Sequence, residues 1–245
     1  MCFHLLAAVT VAFWLAVQSH SLIQTLPGFP GKLPFKLHTG YVGVGESEEI
    51  QLFYYFIESQ RSPTSDPLFI WLTGGPACSG PIQIDYANPN GSIPALVLNP
   101  YSWTKVANII FIDQPVGTGF SYAKTQQAYK TSDTLSATLT YDFLKKWFIN
   151  HPQYLKNPLY IGGGSYAGLI VPLVVDHIYN GIEAGSEPPL NIKVGYVLGN
   201  PFTDVNGTSG EVNGRVAYAY RMGLLSDEFY MALPYSSTII IHMFY

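Results

Sequence analysis

Residues 159–168 read Leu-Tyr-Ile-Gly-Gly-Gly-Ser-Tyr-Ala-Gly. Strand formers give way to three glycines and Ser165, and a helix-compatible apolar run follows. A hydroxyl held at the crest of a sharp strand-to-helix turn demands small residues on both sides of it. Gly163 and Ala167 meet that demand, and Gly168 comes next. The following helix would aim its N–H groups and positive dipole end at the same point. The Tyr166 N–H is then placed to donate to an oxyanion. A phosphate-binding loop is the rival reading, but it needs a Lys and the full GxGxxG spacing, and neither is present. A glycine turn with an incidental serine is the plain alternative for this segment taken alone.

A second segment, Trp71-Leu-Thr-Gly-Gly-Pro76, follows an early strand. Paired glycines there allow a backbone N–H to face a substrate carbonyl, as in the second oxyanion donor of α/β-hydrolases. Around these two segments the pattern alternates. Residues 49–58 read as one hairpin arm and 40–44 as the other. Strands are expected at 68–72, 107–112, 159–162 and 194–198. A helix over 131–150 carries Leu135, Leu139, Phe143 and Trp147 at i+4 spacing, joined by Leu144 and Phe148. Ser132 and Asp133 sit where a cap and a first-turn acid belong. A second helix is expected over 165–180, with Pro172 against it. Strands alternating with helices predict an α/β fold whose mostly parallel sheet is covered on both faces.

Composition narrows the function. Charged residues make up 11% and hydrophobic residues 48% of the 245 residues, which excludes a disordered chain. The net charge is -4, with no basic stripe, so no nucleic-acid partner is expected. The six His are scattered and suit no zinc spacing, so neither a metal nor a cofactor is expected.

The apolar run over 5–17, followed by polar and small residues, reads as a signal peptide cut near Ser21. It predicts a secretory protein with no membrane attachment after cleavage. Asn90-Gly-Ser92 and Asn206-Gly-Thr208 are glycosylation acceptors that agree with export. Cys2 would leave with the leader, so Cys78 would have no partner within the mature chain. Residues 238–245, TIIIHMFY, form an atypical apolar tail. The expected division is a signal peptide over 1–21, one α/β domain over 22–237 and the tail over 238–245.

Several segments together resemble the plant serine carboxypeptidase-like family, especially its branch of acyltransferases that use glucose esters as acyl donors. They are LPGFPGKLPFKLHTGYVGVGE (26–46), LFYYFIES (52–59), PLFIWLTGGPACSG (67–80), SWTKVANIIFIDQPVGTGFSYA (102–123), HPQYLKNPLYIGGGSYAG (151–168) and GYVLGNPFTD (195–204). The resemblance implies an α/β-hydrolase fold, Ser165 as nucleophile, and the Gly75 and Tyr166 N–H groups as the oxyanion hole. It implies a small acyl ester or a peptide as substrate, and an extracellular or vacuolar destination.

This chain departs from the family pattern. Gly164 replaces an acidic residue before the nucleophile, Thr73 replaces an Asn, and the loop after Cys78 is shortened. These positions handle a substrate carboxylate in the peptidase branch. The resemblance also implies that the acid and base of the triad, and the later strands of the fold, lie beyond residue 245.

A serine hydroxyl needs a general base. His177 falls twelve residues into the second helix, about 18 Å along its axis. Asp227 and His242 keep the chain order of an acid followed by a base. His38 and His151 read as surface or loop residues, and Asp113 as the organiser of its loop. Two functions follow: an enzyme forming an acyl-Ser165 intermediate, or a non-catalytic product that keeps part of the fold.

Overall fold

The computed structural model describes residues 20–73, 80–86, 93–203 and 211–232. The chain divides into two units, residues 1–201 and 202–245.

In the first unit the aromatic-rich segments set the sheet. Strand β1 (Ser21–Ile23) runs antiparallel to β2 (Leu37–Val44), which forms the expected hairpin with β3 (Ile50–Ile57) from Leu37↔Ile57 to Val44↔Ile50. Next come β4 (Leu68–Thr73), the separate two-stranded pair β5 (Ile82–Ile84) and β6 (Leu96–Leu98), β7 (Asn108–Ile112) and the short β8 (Tyr122–Ala123). Strands β9 (Leu159–Gly164) and β10 (Ile192–Gly199) complete the sheet in the order β1-β2-β3-β7-β4-β9-β10, with β8 beside β3. From β7 to β10 every pairing is parallel.

Helix α1 (Asp133–Asn150) is capped as expected: Ser132 Oγ accepts the Leu135 N–H at 3.2 Å, and Asp133 lies in the first turn. Leu139, Phe143, Leu144, Trp147 and Phe148 are buried, but Leu135 is 37% exposed. Spacing of i+4 rotates about 40° per step around a 3.6-residue helix, so three steps carry Leu135 about 120° away from Trp147. Helix α2 (Ala167–Glu183) runs through Pro172. The one lost backbone bond is offset by burial of Ile170, Val171, Val174, Val175 and Ile178.

Helices α1 and α2 pack on each other and on one sheet face, above Tyr54, Phe56, Ile70, Leu72, Ile110 and Ile161. The opposite face is only partly covered among the described residues. Phe35, Leu37 and Ile57 gather Leu26, Leu33, Tyr55 and Phe111 there. Phe69 stacks on Tyr160 at 5.0 Å, and Trp71 meets Trp103 edge-on at 4.8 Å; all four keep contact with water.

The second unit contains α3 (Glu211–Arg221) and α4 (Asp227–Ala232). Tyr220 stacks on Tyr230 at 4.0 Å and donates its hydroxyl to Asp227 Oδ1 at 2.9 Å. No helix of the described residues is long and apolar enough to cross a membrane.

Candidate active site

Strand β9 ends at Gly164, and Ser165 takes φ +56°, a left-handed conformation disfavoured for a residue with a side chain. The surrounding backbone holds it there. The Ser165 N–H donates to the Gly199 carbonyl at 3.2 Å, and the Ser165 carbonyl accepts from the Gly168 N–H at 3.0 Å. Helix α2 begins two residues later, at Ala167, and Ser165 itself faces solvent. This is the strand–turn–helix geometry that lifts a nucleophile clear of a sheet.

The glycines before it are not equivalent. A Cβ on Gly163 would stand 2.4 Å from the Leu72 carbonyl oxygen and 2.6 Å from Ala167 Cβ, so no larger residue fits. A Cβ on Gly164 would meet only the Gly199 carbonyl oxygen, at 3.4 Å. Gly164 lies between two neighbours in register, Thr73 of β4 and Gly199 of β10. Thr73 and Gly164 are therefore side by side at the strand ends that lead into Ser165.

Tyr166 is in αR geometry, with φ −57° and ψ −25°, just ahead of α2. Its hydroxyl donates to both carboxylate oxygens of Asp133, 3.1 Å from each. Loss of solvation, then the hydrogen bond and charge of Asp133, hold the phenol above its ordinary pKa. This bond joins the first turns of α1 and α2 across a hollow of about 580 Å³. The wall of the hollow is mostly apolar, with Leu72, Pro115, Ala167 and Ile170, and Thr73, Gln114, Ser132, Asp133 and Tyr166 are among its polar residues. Sequence reasoning missed the Asp133–Tyr166 link. The capping pattern had located Asp133, but nothing in it pointed to a partner 33 residues away.

Asp113 ends β7 and does organise its loop. Its Oδ2 accepts the Phe120 N–H at 2.9 Å, and its carbonyl accepts the Ser121 hydroxyl at 2.5 Å. Burial raises its pKa while the Phe120 N–H pulls it back. Gly119, at φ +54°, leaves no room for a Cβ, which would fall 2.1 Å from Asp113 Oδ2.

No imidazole of the described residues bonds to Ser165. His177 Nε2 lies 3.2 Å from Thr138 Oγ1, and its ring faces Tyr141. Asp227 belongs to the second unit, and His242 lies outside the described residues. His38 corrects the sequence reading, and His151 keeps its loop position but is not at the surface. His38 is in β2, and His151 is buried against Trp147 at the end of α1, because their rings complete the packing around Phe56. Gly75, Cys78, Asn90, Asn206 and the 238–245 tail all lie outside the described residues, as does the leader up to residue 19.

Residues 27–238 match the serine carboxypeptidase family. The chain is 51% identical over 226 residues to serine carboxypeptidase-like 1 of Arabidopsis thaliana, covering 89% of this chain and 50% of that protein. It is 49% identical over 229 residues to serine carboxypeptidase-like 19 of the same plant, covering 90% and 48%. The chain therefore spans about half the length of the curated relatives it matches. Among solved structures, the prohormone-processing carboxypeptidase Kex1(delta)p of Saccharomyces cerevisiae superposes with a TM-score of 0.61 at 25% identity, over 79% of this chain and 44% of that one.

Proposed function

The chain belongs to the serine carboxypeptidase family, and on that premise we propose that Ser165 is the nucleophile of acyl transfer or hydrolysis through an acyl-serine intermediate. The observation that carries this reading is the left-handed Ser165 between β9 and α2, a strained conformation that exposes the hydroxyl. Ser165 Oγ adds to the carbonyl carbon of an ester or peptide. The tetrahedral oxyanion is stabilised by the N–H groups of Tyr166 and Gly75. The alcohol or amine leaves with the serine proton, and water or a second alcohol then releases the acyl group.

The acyltransferase branch is the better fit. Thr73 and Gly164 replace the asparagine and acid to which the family resemblance assigns a substrate carboxylate, and they adjoin one another beside the nucleophile. Hydroxyl residues and Gln114 line the adjacent hollow beside a larger apolar wall, a mixed surface that suits an ester joining an apolar acyl group to a sugar. We further propose delivery through the secretory pathway to the cell exterior or the vacuole, on the strength of the leader and the two sequons.

A second reading has its own support. The described residues bring no general base to Ser165, so the chain by itself is proposed to be a poor catalyst. An oxyanion hole without its triad partners leaves a residual ~10³–10⁴-fold over water. The test is a fluorophosphonate probe followed by peptide mapping. Faint labelling confined to Ser165 is expected, and labelling elsewhere would refute the nucleophile assignment. Strong labelling abolished by Ser165→Ala would refute the poor-catalyst reading. Abolition by His242→Ala as well would restore the Asp227–His242 pair. Acyl transfer from a glucose ester, compared with release of a C-terminal residue from a blocked peptide, separates the branches.

A further inference from the structure

Three imidazoles converge at the end of the sheet where β1 begins. The His20 ring stacks on His38 with centroids 4.6 Å apart, and lies 5.3 Å from the ring of His151. Each comes from a different element: His20 immediately precedes β1, His38 lies in β2, and His151 closes α1. The surroundings hold little negative charge. Among the described residues Glu58 is the one carboxylate in contact, 2.9 Å from His38 Nε2, and it already accepts from Lys36 Nζ at 3.1 Å. The Tyr54 hydroxyl lies 3.3 Å from His20 Nδ1. Trp147 stacks on His151 at 4.1 Å, and its carbonyl accepts from His151 Nδ1 at 2.8 Å. Tyr154 packs on Trp147 and Phe56 beneath them. His38 Nδ1 is buried without a hydrogen-bond partner among the described residues.

We propose that these rings form an acid-released clasp, holding the His20–Ile23 segment against β2 when His20 is neutral and letting it go when His20 takes up a proton. Stacked imidazoles attract as neutral rings and repel as cations, and the single carboxylate, shared with Lys36, cannot neutralise a second charge. His20 is the ring that gives way. It is the outermost of the three, and β1 is a three-residue edge strand held by pairing with β2 alone. His38 and His151 are fixed in longer elements.

The direction of titration agrees. Burial first, and then His38, hold the His20 pKa below its ordinary value, with Glu58 opposing. A group with a lowered pKa in the docked state favours docking above its free value of 6.5, and opposes it as pH falls below that value. The clasp does not depend on the catalytic reading. It does require that His20 survive any removal of the leader, so it sets the cut no later than Ser19, two residues ahead of the Ser21 read from the leader pattern.

Intact mass of the secreted product, followed by hydrogen exchange at pH 7.5 and 5.0 with correction for intrinsic rates, tests the clasp. Protection of the β1 amides should fall about tenfold at the lower pH, while β7 (Asn108–Ile112) stays protected. His20→Gln and, separately, His38→Gln should each flatten that dependence. A mature terminus at Ser21 or later would overturn the proposal. So would equal β1 protection at both pH values, a pH dependence that persists in His20→Gln, or parallel loss of protection in β7.

Discussion

Thr73 and Gly164 stand opposite one another on adjacent parallel strands, and Ser165 follows Gly164 directly. A change at either position alters the same floor beneath the nucleophile. The space there is uneven, because Gly163 is walled in by Leu72 and Ala167 while Gly164 is not.

Alanine at these two glycines should therefore behave in opposite ways. Gly163→Ala forces the Leu72 carbonyl or the start of α2 to move and should cost about 2–3 kcal/mol. Gly164→Ala meets only ordinary contact and should be neutral or stabilising by up to ~0.5 kcal/mol, since strand glycine is entropically unfavourable. Urea midpoints at constant slope measure both; equal losses would contradict the packing described.

Ser165→Gly relieves the left-handed strain, whereas Ser165→Ala keeps it. The glycine variant should be more stable than the alanine variant by about 1 kcal/mol, although both lack the hydroxyl. Equal unfolding free energies would mean that the turn stores no strain at this residue.

His151 should make the fold acid-sensitive. Burial lowers its pKa from 6.5 to about 4, opposed by the Trp147 carbonyl and assisted by His20 and His38. The folded state then binds fewer protons than the unfolded state. This contribution is complete above pH 6.5, declines as pH falls toward 4, and amounts to at most about 3 kcal/mol. His151→Phe keeps a ring against Trp147 but cannot titrate, so its stability should change less between pH 7 and pH 4.5. An unchanged slope would assign the acid sensitivity to other groups.

Export should leave glycans on Asn90 and Asn206. Protein from a plant secretory host should gain mobility on a gel after enzymatic deglycosylation, and Asn90→Gln with Asn206→Gln together should abolish the shift. An unglycosylated product retaining Met1 would count against the secretory reading.

The elbow was legible in the sequence because a strand that runs into a helix needs a run of small residues only where the turn between them is sharp. Helix α1 was legible for a related reason: Ser132 and Asp133 announce its start, and the apolar repeat gives its length. Leu135 marks the limit of that repeat, since i+4 spacing traces a stripe that drifts around the helix. His38 was misjudged, because the rings around it come from distant segments, and His151 is a loop residue that the nearby Trp147 and the distant Phe56 bury. Strand β1 passed unnoticed because three residues cannot display a period of two. The two-sided cover expected of a parallel sheet is only half met by the described residues of the first unit, and strand pattern alone does not identify what lies above each face.

That uneven cover has an optical consequence. Trp147 is fully buried under the helices, whereas Trp103 is 41% exposed and touches Trp71 on the open face. The emission of the folded chain should therefore hold a blue component from within and a red component from the open face. Anything that settles on the open face would shift the red component alone, whereas acid acting on His151 would first quench the blue one through its stacked imidazole.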